Sequence, residues 1–398
     1  MIDIHAARHD PERFRAALAR RGAAEAFDAL MAADGRWREL VPQVDELRAQ
    51  QKLQGKPTPE QLEELKARKA RLSELEAALA AAEAEREAAL AQVPNPPHES
   101  AADGMTEDDS VEIRRWGEPP QLAEPKEHTE IGRFELERAA KVSGTRFGFL
   151  VGDTALVALA LYRFALDRLV REGFTTIIPP VLVREEAMYG TGFFPSDKSD
   201  YYEIPADGLY LVGTSEVPLV AMHMDEILDV LPIHYCAFSS CFRRESGAAG
   251  RDTRGMFRVH QFQKVEMVVY TEPRDSWDEH ERMLAIEESL MQELGIPYRV
   301  VNTAAGDLST AAAKRYDIEG WFPSQDRYRE LTSCSNTTDY QARRSKIRYR
   351  TGETTLETPH TLNGTAATDR WLLALLENFQ GDVPEALQRF GAPARVTK

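Results

Sequence analysis

SSCFRRESGAAGRDTRGMFRVHQFQKVEM, residues 239–267, is the stretch on which the fold turns. Charge is concentrated here, with Arg243, Arg244, Arg251, Arg254, Arg258 and Lys264 beside Glu245, Asp252 and Glu266. Both ends alternate apolar and polar residues, around Cys241-Phe242 and again through Val259, Phe262, Val265, Met267 and Val269. That is the period of a half-buried strand. Gly247-Ala248-Ala249-Gly250 between them reads as a flexible loop. The pattern predicts an antiparallel hairpin whose long loop carries arginines. Guanidinium groups bind phosphate and carboxylate oxygens in bidentate fashion, so this loop suits a polyanionic ligand. A salt-bridged surface hairpin has the same composition, and these residues alone leave both readings open.

Length and composition set the frame. A chain of 398 residues exceeds one ordinary domain, and two domains are expected, one with a substantial core. Cys236, Cys241 and Cys334 show no CxxC spacing and no companion histidine cluster, which points to reduced thiols rather than disulfides or a zinc site. The start, MIDIHAARHDPERF, carries acids and no apolar segment, unlike a signal peptide. No apolar run approaches membrane-spanning length, so a cytoplasmic protein with no membrane partner is expected. The net charge of −16 argues against nucleic acid at the level of the whole chain. It does not fix the potential of a small binding element.

Residues 1–100 read as a separate unit. Trp37 lies one heptad beyond Leu30; Leu40, Val44 and Leu47 follow in alternating steps of three and four, and a second run carries Leu65, Leu72 and Leu79 beside Leu75, Ala82 and Ala89. Both are heptad patterns of packed helices. Gly55-Lys56-Pro57-Thr58-Pro59-Glu60 breaks the first helix and opens the second. An antiparallel helical hairpin of ~35–45 Å follows from the helical rise. Lys52, Lys56, Lys66, Arg68, Lys69 and Arg71 make its distal part the least acidic, which suits contact with phosphates. A solvated helix face would read the same way. Val93-Pro94-Asn95-Pro96-Pro97 is a linker by composition, and the second domain is expected over residues 101–398.

Within that second domain an apolar helix from Thr154 to Val170 stops at Gly173. Thr175–Val183 then reads as a strand interrupted by Pro179 and Pro180, which belongs at a sheet edge. Thr214 and Glu216 place a hydroxyl and a carboxylate on one face after a strand; taken alone they would be a helix cap. Tyr328–Asn336 is an alternating strand with Glu330 and several hydroxyls, fit for a magnesium site. His360–Arg370 reads as strand, turn of small residues, and an arginine opening the helix Trp371–Gln380.

Phe242-Arg243-Arg244-Glu245, Gly250–Gly255, Arg258–Phe262 and Lys264–Met267 together resemble motif 2 of class II aminoacyl-tRNA synthetases in its seryl form. Residues 154–183 resemble motif 1, with Pro180 in the matching place, and residues 360–380 motif 3, here poorer in glycine. The N-terminal hairpin is similar to the family's tRNA-binding arm, with a short Gln-Gly-Lys-Pro-Thr-Pro tip, and Gln341-Ala342-Arg343-Arg344 matches a seryl-type segment. The resemblance implies an α+β fold: an antiparallel six-stranded sheet flanked by helices, preceded by a coiled-coil arm, in a homodimer. It implies activation of L-serine with ATP and Mg²⁺, then seryl transfer to tRNA(Ser), with tRNA(Sec) as a further acceptor.

The site residues it implies are as follows. Arg243 bridges the serine carboxylate and α-phosphate. Glu245 accepts from the adenine amino group, Phe262 stacks on the ring, and Val259 joins them in the nucleotide site. Arg370 holds the γ-phosphate end, and Glu330 with Ser333 positions Mg²⁺. Thr214, Glu216, Glu266, Asn363 and Thr365 surround serine, while Lys52, Lys56, Lys66, Arg68 and Lys69 serve the tRNA arm. A ligase that loads a carrier protein, a paralogue in antibiotic biosynthesis or resistance, and a non-catalytic interaction protein are the alternatives.

Overall fold

The computed structural model describes residues 1–50, 59–246 and 255–398. The chain divides into two compact units, Met1–Pro96 and Pro97–Lys398.

In the first unit, α1 (Ala24–Gln50) and α2 (Pro59–Gln92) pair antiparallel, since Arg36 meets Glu85 and Arg48 meets Glu76. The heptad leucines do what their spacing predicts: Val44, Leu72 and Leu75 are buried, with Leu40, Leu47 and Leu79 packed against them. With 34 residues, α2 spans about 51 Å, longer than the expected hairpin, because the run 77–91 contains no breaker. Buried Asp34 ties the base together. It accepts from Arg8 Nε at 2.7 Å and Arg86 Nε at 2.8 Å. Burial alone would raise this carboxyl, but the two guanidiniums outweigh it and hold it below the usual range. The expected turn, with Lys52 and Lys56, lies outside the described residues.

The second unit is built on one large sheet of β1 (Val111–Trp116), β2 (Thr175–Ile177), β3 (Ile233–Phe242), β4 (Gln261–Thr271), β5 (Tyr298–Asn302), β6 (Lys314–Phe322), β7 (Arg327–Thr338) and β8 (His360–Thr368). Their spatial order is β1-β5-β6-β7-β8-β4-β3-β2. The inner six are antiparallel, as expected. The sheet has eight strands rather than six, because β1 adds antiparallel at one edge and β2 parallel at the other. Pro179 and Pro180 cannot donate to a ladder, so β2 ends at Ile177. The chain resumes at Leu182–Arg184 in a separate three-stranded sheet.

Alternation along β4 assigns the two faces of the sheet. Val265, Met267 and Val269 enter the main core with Met283 and Leu290 of α5 (Ser276–Leu294), and with Val157 and Leu161 of α3 (Asp153–Arg171). Phe262, Lys264 and Glu266 face the other way. Between β2 and β3 a short α4 (Glu216–Ala221) packs Leu219 and Val220 against Val268 and Tyr270. A further short helix, α6 (Tyr340–Arg344), follows β7.

The expected turn of small residues before the last helix is not there. Strand β8 runs through Asn363–Thr368 directly into α7 (Asp369–Phe379). The small side chains serve packing instead: a Cβ on Gly364 would lie 2.7 Å from Glu287 Oε1 and 3.1 Å from Met283 Cε on α5.

Candidate active site

Charge and aromatic surface converge over the polar face of the sheet. A cleft of about 190 Å³ is lined by Arg243, Glu245, Val259, Phe262, Glu330, Ser333 and Arg370, all expected at the nucleotide. Arg243, the residue that follows β3, and Phe262 of β4 project into it, with the guanidinium 5.3 Å from the ring centroid. Glu245 sits just past β3 at φ +54°, and its carboxylate is ion-paired with Arg258. Arg370, second residue of α7, donates to Glu330 O at 3.0 Å and faces the Glu330 carboxylate at 3.4 Å. Phe257 carries Arg329 and Arg370 over its ring at 3.8 and 4.6 Å.

Two β-bulges make this lining possible. Ile318 pairs with Thr332 but Glu319 with Glu330, so Leu331 is an extra residue in β7. Glu330 and Ser333, three apart, would otherwise point to opposite faces; the bulge brings both into the cleft. On β8, Val265 pairs with Ala367 but Glu266 with Thr365, and Ala366 is the extra residue. Thr365 and Thr368 therefore share the cleft wall.

A second, smaller cavity adjoins the first. Thr214, Glu216, Glu266 and Asn363 line it, and Arg243, Lys264 and Ser333 line both cavities. Thr365 belongs to the larger cleft, opposite Glu266 on the neighbouring strand. Thr214 and Glu216 are not strand residues, because the strand stops at Leu211. Glu216 is the first residue of α4 and Thr214 lies two residues before it. Ser215 holds the cap position without a side-chain cap bond, and Thr214 Oγ1 accepts from Glu216 N at 3.1 Å while both line the pocket. Lys264 Nζ donates to Thr214 Oγ1 at 2.8 Å and is paired with Glu266. Gln341 Nε2 at 2.6 Å and Asn363 Nδ2 at 2.9 Å both donate to Glu216 Oε1.

Residues 1–97 match the seryl-tRNA synthetase N-terminal domain, and residues 202–379 the class II tRNA synthetase core of the G, H, P, S and T enzymes. The serine–tRNA ligase of Thermobifida fusca is 48% identical over 98% of this chain and 97% of its own. The chain belongs to the seryl-tRNA synthetase family. A crystal structure of the Pyrococcus horikoshii family member complexed with ATP agrees at a TM-score of 0.93, with 38% identity over 100% of both chains. The cytoplasmic serine–tRNA ligase of Naegleria fowleri, in complex with AMP, gives 0.87 at 35% identity, over 98% of this chain and 96% of its own. The class II core region, 202–379, contains the whole lining of the larger cleft and all of the smaller cavity's except Thr191, Gly192, Phe193 and Asp197.

Electrostatics divide the site. Burial, with Glu266 nearby, pushes the Glu216 carboxyl up to about 7, against the Gln341 amide and the cations Lys264 and Arg243. Burial raises Glu266 as well, with Lys264 opposing. At Glu330 burial acts upward, but Arg370, Arg315 and Arg243 prevail and keep the carboxylate ionised. Among the described residues no helix is long and apolar enough to cross a membrane.

Sequence reasoning misses several members of the site. Lys264 reads in the sequence as one more charge of the hairpin, although its alternation with Phe262 and Glu266 is the signal that places it in the pocket. Gln341 stands out there only as part of its motif. Arg315, bound to Asp317 at 3.0 Å and to Asp307 at 2.9 Å, carries no local signal. Lys66, Arg68 and Lys69 are exposed on α2 in the first unit.

Proposed function

We propose that the protein activates L-serine with ATP and transfers the seryl group to the 3′ end of tRNA(Ser), with tRNA(Sec) as a second acceptor. The carrying observation is that Arg243, Lys264 and Ser333 line both cavities. A serine held in the smaller one by Thr214, Glu216, Glu266 and Asn363 presents its carboxylate where the nucleotide cleft begins. A carboxylate oxygen forms a bond to the α-phosphorus, the bond to the bridging oxygen breaks, and pyrophosphate leaves with the electron pair. Two anions must approach, so the work is charge neutralisation and alignment, with Arg243 facing both. Phe262 and Glu245 hold the adenine, Val259 lines the nucleotide site, and Arg370 takes the γ-phosphate end.

Glu330 and Ser333 fit Mg²⁺, since the bulge places both in the cleft and Glu330 is held ionised. The ion would neutralise phosphate charge. Thr365, beside Glu266, completes recognition of the serine hydroxyl. A pocket that hydrogen-bonds a hydroxyl discriminates strongly against alanine.

The N-terminal unit weighs for tRNA over a carrier protein as acceptor, with Lys66, Arg68 and Lys69 on its exposed face. A cytoplasmic homodimer paired through the motif 1 edge completes the reading, and Ile178, 88% exposed, and Leu159, 60% exposed, support that edge as an interface. The test is ATP–pyrophosphate exchange beside tRNA aminoacylation. Serine-dependent exchange and charging are expected together. Exchange with no charging of tRNA(Ser) would move the acceptor to a carrier protein, and no exchange with serine would overturn the reading.

A further inference from the structure

The segment Gln341-Ala342-Arg343-Arg344 lies in α6, and none of its side chains lines either cavity. Its polar groups are nevertheless directed at the wall of the smaller one. Gln341, 1% exposed, uses both ends of its amide. The nitrogen donates to Glu216 Oε1 at 2.6 Å and to Thr191 O at 3.0 Å. The oxygen accepts from Thr361 Oγ1 at 2.8 Å and Thr337 Oγ1 at 3.3 Å. With hydroxyls on one side and a carboxylate and carbonyl on the other, the amide has one satisfied orientation. One turn on, Arg344 donates to Phe194 O at 2.8 Å and Tyr189 O at 3.2 Å. Its guanidinium lies against the rings of Tyr189 and Tyr340, at 4.7 and 4.8 Å. The backbone held in this way, 189–194, includes Thr191, Gly192 and Phe193 of the cavity wall.

We propose that Gln341 is a positioning residue for serine recognition, whose amide orients Glu216 and ties it to the wall at Thr191. This rests on the assignment of Glu216 to the serine pocket. Glu216 has few alternatives: its Oε1 takes donors only from Gln341 and Asn363 among the hydrogen bonds of the described side chains. The charged and titratable groups around it are Glu266 and Lys264 of β4, Arg243 and Tyr201. Asp197 and Arg315 stand across the cavity. Of all these neighbours, Gln341 alone joins Glu216 to a carbonyl of the wall.

The experiment is serine-dependent ATP–pyrophosphate exchange on the full chain, with Gln341→Met, Glu216→Gln, their double variant, and Thr361→Val. Gln341→Met is expected to raise KM for serine about 10- to 100-fold, the scale of a lost hydrogen bond to a charged group. KM for ATP stays at the parent value. The acid limb of kcat/KM for serine moves to higher pH, because Glu216 loses a donor that favours its ionised form. In the double variant, Gln341→Met adds less than it does alone, since its partner is already neutral. Thr361→Val preserves shape and frees one side of the amide, and a smaller rise confined to serine is expected. A large serine effect in Glu216→Gln with none in Gln341→Met and Thr361→Val overturns the inference. Loss of ATP and serine affinity in equal measure also overturns it, because that marks a purely structural role. No serine effect in Glu216→Gln would instead overturn the pocket assignment beneath it.

Discussion

Two carboxylates show how position decides chemistry at the scale of single residues. Glu330 is kept ionised by Arg370, Arg315 and Arg243 and belongs to the cleft. Glu330→Gln preserves its size and removes its charge. Exchange activity is expected to fall about 10²–10³-fold, the cost of losing one preorganised charge-stabilising group. The Mg²⁺ concentration for half-maximal rate should rise as well, and an unchanged Mg²⁺ dependence would remove Glu330 from that role. Glu287 is the opposite case. It is fully buried beneath β8, where the Thr365 backbone N–H opposes its desolvation without offsetting it. Burial, then Glu266, holds its carboxyl well above the ordinary 4.5. A carboxyl raised on folding contributes stability below its unfolded pKa and loses it as pH rises toward the folded one. The loss has a limiting slope of about 1.4 kcal/mol per pH unit. Glu287→Gln abolishes that slope, so its melting temperature should match the parent near about pH 5 and exceed it near about pH 8. Parallel curves for parent and variant would mean that Glu287 is not held neutral.

For the helical arm the prediction separates binding from chemistry. On α2 the cations Lys66 and Arg68 pair with Glu63 at 2.8 Å and Glu64 at 3.7 Å, and all four are exposed. Exposed pairs of this kind contribute little and release their cations readily. Replacing Lys52, Lys56, Lys66 and Lys69 with alanine should weaken tRNA binding. The slope of log affinity against log salt should flatten by roughly 0.7–0.9 for each phosphate no longer neutralised. Serine-dependent exchange should be untouched. Titrating tRNA at several salt concentrations reads both quantities, and an equal loss of exchange would sink this division of labour. The element itself is plain in the sequence, since heptad leucines and proline breakers act locally. The length of α2 is not, because an alanine-rich run marks no end of its own.

For the whole molecule, the open edge at β2 carries the prediction. An exposed strand next to apolar Ile178 and Leu159 is a surface that soluble proteins cover. Ile178→Asp places a charge where a second copy would pack, and light scattering should show the dimer giving way to monomer. The melting temperature should fall as protein is diluted. A variant that remains dimeric places the interface elsewhere.

The sequence by itself determined what depends on near neighbours: the strand period of Phe262, Lys264 and Glu266, the helical heptads, and the prolines that end β2. It also carried the order of motifs by which the family and most of the cleft residues could be read. Only the tertiary structure decided which of those residues work together. The β-bulges at Leu331 and Ala366 turn side chains three apart onto one face, and no local pattern marks such an insertion. Gln341 reaches Glu216 across 125 residues of chain, and Arg370 reaches Glu330 across 40. Protonation follows the same rule. Glu216, Glu287 and Glu330 are one residue type with different ionisation, because burial and the charges brought alongside by folding set the energy of each carboxylate.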